Sequence, residues 1–153
     1  MAVLLAVLIG VVAGLRTMMA PAAVSWAAHL GWINLGASPL AFLGYAWTPW
    51  ILTALAIGEL ITDKLPSTAS RKVPTQFGGR IVTGALSGAA IGAAAGSLAL
   101  GAIAGAVGAV AGTLGGAAAR AGLAGAFGRD RPAALIEDVV ALLAAWLIVV
   151  AAR

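Results

Sequence analysis

The chain contains no cysteine and a single histidine, and only 9% of its 153 residues are charged. The missing cysteines exclude disulfides, thiolate metal sites and cysteine nucleophiles. With His29 alone, the chain has no HExxH motif and no Ser-His-Asp spacing. We therefore expect neither an enzyme nor a bound cofactor, and the sequence leaves metal binding open. Soluble domains carry about a quarter charged residues, so a soluble fold is also disfavoured.

Apolar residues dominate what remains. They make up 62% of the chain, and the mean hydropathy is +1.06. Since a transmembrane helix needs about 20 apolar residues, this length allows about four to six spans and no separate soluble domain. The sequence predicts an all-α polytopic membrane protein that forms one transmembrane domain.

The apolar runs divide this domain into five predicted helices. They cover residues 2–24, 47–65, 77–98, 101–121 and 132–152, and a polar linker occupies residues 66–76. Arg16 and Pro21 interrupt the first run, and proline removes a backbone donor, so we expect a broken first helix with a kink near Thr17.

The basic residues predict the orientation. Seven of the nine lie between spans two and three or between spans four and five: Lys64, Arg71, Lys72, Arg80, Arg120, Arg129 and Arg131. The positive-inside rule makes that face cytoplasmic. The prediction is a multi-pass protein of the bacterial inner membrane with a cytoplasmic N-terminus and an external C-terminus. The basic clusters fit anionic lipids as partners, and nucleic acid is not expected.

Glycines recur along the third and fourth predicted spans. Small residues let helix backbones approach in lipid, so this pattern predicts close packing within the chain or with a second copy. A pore lined by glycine backbone is the alternative. The predicted packing residues are Gly84, Gly88, Gly92, Gly96, Gly101, Gly105, Gly108 and Gly112.

Two similar segments suggest an internal repeat. Residues 10–14 read GVVAG and residues 108–112 read GAVAG, and each is followed by an arginine and then by a helix with two acids. Spans one and two would then correspond to spans four and five in opposite orientation. Inverted repeats of this kind are typical of transporters. Chance alignment of helices rich in alanine and glycine is the alternative.

Four of the five acidic residues lie inside or at the edge of predicted spans. Glu59 and Asp63 share one helical face near the end of span two, and Glu137 and Asp138 lie near the start of span five. Carboxylates in lipid are costly and are functional candidates by default. With Arg16 and Arg80 they form the predicted ion- or substrate-binding set.

These residues support a small transporter or channel-like protein for a proton, a metal cation or a small solute. Because five short helices scarcely enclose a solute path, a homo-oligomer is expected. The alternative is a structural or assembly protein whose charges form interhelical ion pairs. A lipid-modifying enzyme is the weakest hypothesis, since no nucleophile–base pair is present.

The segment Glu-Leu-x-x-Asp-Lys-Leu-Pro, which begins at Glu59, resembles a small bacterial membrane family. That family is known only as domain of unknown function 4126. Gly14-Leu15-Arg16-Thr17, the basic linker to Arg80 and the Glu137-Asp138 pair extend the resemblance over nearly the whole chain. The resemblance implies a compact helical membrane protein and supports the same six charged site residues. It implies no activity.

Overall fold

The computed structural model describes residues 1–64 and 73–153, which form six α-helices, one short 3-10 helix and no strand. The all-helical prediction is confirmed. The α-helices are α1 (Ala2–Leu15), α2 (Met19–His29), α3 (Thr48–Thr62), α4 (Pro74–Ala94), α5 (Leu98–Phe127) and α6 (Asp130–Ala151), and the 3-10 helix is Ala41–Gly44. Residues 65–72, which include most of the predicted polar linker, lie outside the described residues.

Proline and glycine set the boundaries that differ from the predicted spans. α4 begins earlier than predicted because Pro74 occupies its first turn. α5 runs past residue 121 to Phe127, and Gly128 ends it with a φ of 66°. Gly96 has a φ of 79° and lies in the turn between α4 and α5. Gly96 therefore forms this turn and does not join the helix packing that was predicted for it.

Among the described helices, α5 and α6 are long and apolar enough to cross a membrane. α1 and α3 are apolar but have only 14 and 15 residues. At 1.5 Å per residue they reach only about 21 and 22 Å, whereas the bilayer core is about 30 Å thick. The prediction of five membrane-spanning helices is therefore not confirmed.

Glycine backbones form the contact between α4 and α5. Gly84 lies against Gly105, Gly88 against Gly101 and Gly105, and Gly92 against Gly101. The residue numbers rise on one helix as they fall on the other, so α4 and α5 are antiparallel. A methyl group at any of these glycines would meet backbone atoms within 3 Å. The helix axes can approach this closely only because side chains are absent.

The contact between α1 and α5 also consists of small residues. The contacting pairs are Gly10 with Gly105, Gly108 with Val7, Gly14 with Ala109, and Gly112 with Val11. The numbers rise together, so these two helices are parallel. The predicted inverted repeat is wrong for this pair, since it requires opposite directions. The two similar segments instead pack side by side. Gly10 contacts Gly105, which lies three residues before its repeat counterpart Gly108, and Gly14 contacts Ala109, which lies three residues before its counterpart Gly112.

The chain reverses direction between α1 and α2. α5 and α6 form an antiparallel hairpin around Gly128, so α6 is antiparallel to α1. α2 runs parallel to α6, because Arg16 pairs with Asp138 near their starts and Arg153 lies over Trp32 beyond their ends. α1 and α2 are therefore a helical hairpin. The break near residue 17 was predicted correctly, but a single kinked span over residues 2–24 is wrong.

All six α-helices thus alternate in direction. The α1–α2 tip, the end of α3, the start of α4 and the α5–α6 turn lie together at what we call the charged end. Met1 and Arg153 lie at the opposite end, where α1 begins and α6 ends. Both termini therefore lie at one end of the bundle, whereas the prediction placed them on opposite faces of the membrane because it counted α1 and α2 as one crossing.

Candidate functional site

The tip of the α1–α2 hairpin exposes backbone donors that a carboxylate from another helix satisfies. Arg16 is extended, with φ −139° and ψ 113°, and ends α1. The Thr17 N–H donates to Glu59 Oε1 at 2.7 Å, and the Met18 N–H donates to Glu59 Oε2 at 2.8 Å. Since the first amides of a helix have no intrahelical partner and carry partial positive charge, Glu59 caps α2 from α3.

Arg80 caps the end of α1, as Glu59 caps the start of α2. Its Nη1 donates to the carbonyl oxygens of Gly14 at 2.6 Å and Leu15 at 2.8 Å. These are last-turn carbonyls, which have no intrahelical partner. Arg80 is 3% exposed, and its Nη2 lies 3.8 Å from Glu59 Oε1. The pair Glu59–Arg80 therefore stabilises both helix ends of the tip.

Arg16 is fully buried among carboxylates of α3 and α6. Its Nη1 lies 2.7 Å from Asp63 Oδ2, and its Nη2 lies 2.5 Å from Asp138 Oδ1. Glu137 Oε2 is farther away, at 3.6 Å. One guanidinium thus joins the hairpin tip to the end of α3 and the beginning of α6. A buried cation is tolerated only when it is paired in this way.

Arg120 extends these ion pairs to the α5–α6 hairpin. It binds Asp130 through two parallel hydrogen bonds of 2.8 and 2.6 Å, the geometry that arginine and carboxylates prefer. Its Nη1 also donates to Asp63 at 2.6 Å and lies 3.5 Å from Glu137. Arg120 therefore links α5 to both α3 and α6.

Lys64 completes the contacts between α3 and α6. Its Nζ donates to Asp138 Oδ2 at 2.8 Å and to the Leu60 carbonyl oxygen at 3.1 Å. Its side chain is 33% exposed, so this pair lies at the edge of the cluster. Asp138 is consequently shared between the buried Arg16 and the more exposed Lys64.

We call the whole cluster the ionic network. Its members are Arg16, Glu59, Asp63, Lys64, Arg80, Arg120, Asp130, Glu137 and Asp138. It contains all five acidic residues of the chain. In the part of the chain that the structure describes, no three or more of the acidic or histidine side chains are placed to hold a metal ion.

The structure brings together all six charged residues that the sequence predicted as a site. The predicted set of site residues did not include Lys64, Arg120 or Asp130. The prediction placed Arg120 at the end of span four, but α5 continues for seven residues beyond it, to Phe127. The continuous helical pattern between Arg120 and Gly128 was the signal that could have placed this arginine inside the bundle.

Two cavities lie near the network. A cavity of about 130 Å³ is lined by Leu15, Arg120, Glu137 and apolar side chains of α5 and α6. A larger groove of about 450 Å³ runs between α3 and α6 over α2, and we call it the apolar groove. No charged residue lines the apolar groove. Of these two cavities, the smaller one is lined by members of the network.

Comparisons with protein-family models, with curated proteins and with solved structures each gave no match to this chain. The resemblance to domain of unknown function 4126 stays a prediction.

Proposed function

We propose that this chain is an integral membrane protein with a structural or assembly role, and that its intramembrane charges hold the bundle together. One observation carries the proposal: all five carboxylates pair with arginine or lysine, and Glu59 also accepts from two backbone amides. Each of the six predicted site residues therefore has a structural partner. A binding site for a transported ion would instead hold carboxylates turned toward a path.

The exposed surface supports the membrane part of the proposal. The outer face of α6 carries large apolar side chains that are more than half exposed, among them Leu142, Leu143, Trp146 and Leu147. Soluble monomers rarely expose contiguous apolar patches of this kind. We infer that the α5–α6 hairpin crosses the bilayer and that α1–α2 enters it as a hairpin.

Positive charge supports an orientation with the charged end in the cytoplasm. Arg129, in the α5–α6 turn, and Arg131, in the first turn of α6, are both exposed. By the positive-inside rule this end faces the cytoplasm, and both chain ends then lie outside. We therefore retain the expected multi-pass protein of the bacterial inner membrane, but we propose an external N-terminus instead of the expected cytoplasmic one.

The depth of the ionic network in the membrane explains why it needs so many ion pairs and hydrogen bonds. Glu137 lies seven residues after Asp130, which is about 10 Å along α6. Non-helical backbone at this depth is tolerated only when other groups satisfy it. Glu59 and Arg80 satisfy the exposed backbone groups of the hairpin tip, and Arg16 brings the neutralising charge to Asp63 and Asp138.

A specific observation favours transport as the second candidate. The cavity of about 130 Å³ reaches Glu137 and Arg120, and Glu137 lies 3.6 Å from Arg16 and 3.5 Å from Arg120. In that case Glu137 would hold the transported proton or cation. A homo-oligomer would then complete the path and stays a prediction.

Reconstitution into vesicles distinguishes the two functions. The structural role predicts that proton and cation flux equals that of empty vesicles, and that Glu59→Gln and Glu137→Gln both lower the unfolding temperature. Flux in the unmodified protein that disappears in a folded Glu137→Gln variant would contradict the structural role and establish transport. Leu143→Ala, on the lipid-facing side of α6, serves as the control variant.

A further inference from the structure

α3 ends well short of the α5–α6 hairpin at the charged end. Arg16 contacts both Asp63, which caps α3, and Asp138, so these two carboxylates lie at the same level of the bundle. α6 begins eight residues before Asp138, at Asp130, and therefore extends about 12 Å beyond this level. α5 likewise continues seven residues past Arg120, which also binds Asp63, or about 10 Å. The charged end is thus stepped, and α3 lies on its low side.

The apolar surface of the bundle follows the same step. The part of the α5–α6 hairpin beyond the level of the carboxylates exposes Phe127, Leu135 and Ile136. The end of α3 at that level instead exposes Lys64, and residues 65–72 continue the sequence as LPSTASRK, with a single large apolar side chain. The apolar surface therefore extends about 33 Å along the 22 residues of α6 but only about 22 Å along the 15 residues of α3.

Lys64 carries a partly exposed charge on the low side of the step. Its side chain is 33% exposed, and its Nζ donates to Asp138 at 2.8 Å and back to the Leu60 carbonyl oxygen at 3.1 Å. The ammonium group is therefore held at the end of α3. Because the apolar side chains of the hairpin beyond this level require hydrocarbon, an even bilayer would surround Lys64 with hydrocarbon as well. A charge in hydrocarbon is costly, and local thinning of the bilayer with entry of water lowers that cost.

We propose that the bilayer is about 10 Å thinner beside α3 than beside the α5–α6 hairpin, with the leaflet at the charged end drawn inward to the end of α3. A hydrophobic stretch that is shorter than the bilayer is accommodated by such thinning. The surface of α3 thus fits lipids with short acyl chains, whereas the hairpin fits a bilayer of ordinary thickness. This inference rests on the membrane location in the proposed function and is independent of the structural role of the ionic network.

Two spin labels at nearly the same level of the bundle test the thinning in the full chain, reconstituted into phosphatidylcholine vesicles with 18-carbon acyl chains. Ile61→Cys places a label on α3 and Val139→Cys places one on α6. Both native side chains are exposed, and both positions lie within about 3 Å of the level of Asp63 and Asp138. Since the chain has no cysteine, each variant carries a single label.

Electron paramagnetic resonance with oxygen and a nickel chelate as relaxation agents measures the depth of each label. We expect the α3 label to lie about 5–10 Å nearer the aqueous phase than the α6 label, because the step in the apolar surface is about 10 Å. Equal depths of the two labels within the hydrocarbon would overturn the thinning and leave the proposed function intact.

A third label distinguishes thinning from a bundle whose charged end stands out of the membrane. Leu135→Cys lies about 4 Å beyond the level of Asp138, toward the α5–α6 turn. We expect this label to lie deeper in hydrocarbon than the label at Ile61, although it is nearer the turn. Water contact at Leu135 and Val139 alike would overturn the thinning and would also contradict the depth of the network in the proposed function.

Acyl-chain length tests the fit of α3 to short lipids. In 14-carbon phosphatidylcholine the difference in depth between the labels at Ile61 and Val139 is expected to fall at least twofold, because the whole bilayer is then closer to the length of α3. In 22-carbon phosphatidylcholine the difference is expected to grow. A difference that is the same in all three lipids would overturn the proposal, since it would then come from the local surroundings of the labels.

Discussion

Replacing Arg16 with methionine removes the cation at the centre of the ionic network and keeps a side chain of similar length. Arg16 is fully buried, and its guanidinium lies 2.7 Å from Asp63 and 2.5 Å from Asp138. Without it, both carboxylates lose their most buried partner. The hairpin tip between α1 and α2 also loses its ion pairs with α3 and α6.

The expected cost follows from what each carboxylate keeps. Removing one partner of a buried ion pair destabilises a protein by about 3–5 kcal/mol. Asp63 retains Arg120 and Asp138 retains Lys64, so we expect the lower end, about 3 kcal/mol. For a chain of about 150 residues this corresponds to a fall in unfolding temperature of about 6–12 °C.

Tryptophan fluorescence during heating in detergent micelles measures this change. Arg129→Met is the matched control, because Arg129 is exposed and most surface substitutions change stability by about 0.5 kcal/mol or less. An unfolding temperature of Arg16→Met that falls no further than that of Arg129→Met would refute the assignment of Arg16 as a structural centre.

Three further predictions concern the hairpin tip, the glycine packing and the topology. Glu59→Gln leaves one acceptor oxygen for two backbone amides and is expected to cost about 1–3 kcal/mol in the same melting assay. Gly105→Ala places a methyl carbon against the backbone oxygen of Gly84 in α4 and is expected to cost about 1–3 kcal/mol, whereas Gly115→Ala meets open space and is expected to stabilise α5 slightly. Equal melting of the two alanine variants would contradict the packing. Because the chain has no cysteine, Ala2→Cys and Arg153→Cys each create a single thiol, and an impermeant reagent should label both from the same side of the membrane. Labelling from opposite sides would contradict the hairpin.

The sequence predicts helix content well because proline, glycine and apolar runs mark helix ends locally. Pro74 and Gly128 set boundaries by their own backbone preferences, although the predicted spans missed these two ends by three and six residues, and the break at Arg16 was visible beside Pro21. The sequence did not show whether the chain continued or reversed its direction after this break. The local sequence after Arg16 is compatible with both, and the contacts of α2 with α3 and α6 decide between them.

The site shows the same division between local and tertiary information. The cost of burying carboxylates identified Glu59 and Glu137 correctly as members of one cluster. Their partners could not be assigned, because Glu59 caps a helix that is more than 40 residues away in sequence. The glycine spacing likewise predicted close packing, but α1 as the partner of α5 required the fold.

Exchanging the charges of Lys64 and Asp138 tests the structural role of the network most directly. This pair joins α3 to α6 with an N–O distance of 2.8 Å and lies at the accessible edge of the cluster. Lys64→Asp and Asp138→Lys are each expected to lower the unfolding temperature, because each places like charges together. The double variant is expected to melt above Asp138→Lys, since an opposite-charge pair with position 64 is restored, and below the unmodified protein, since the lysine at position 138 then faces Arg16. A double variant that melts no higher than the less stable single variant would contradict the account.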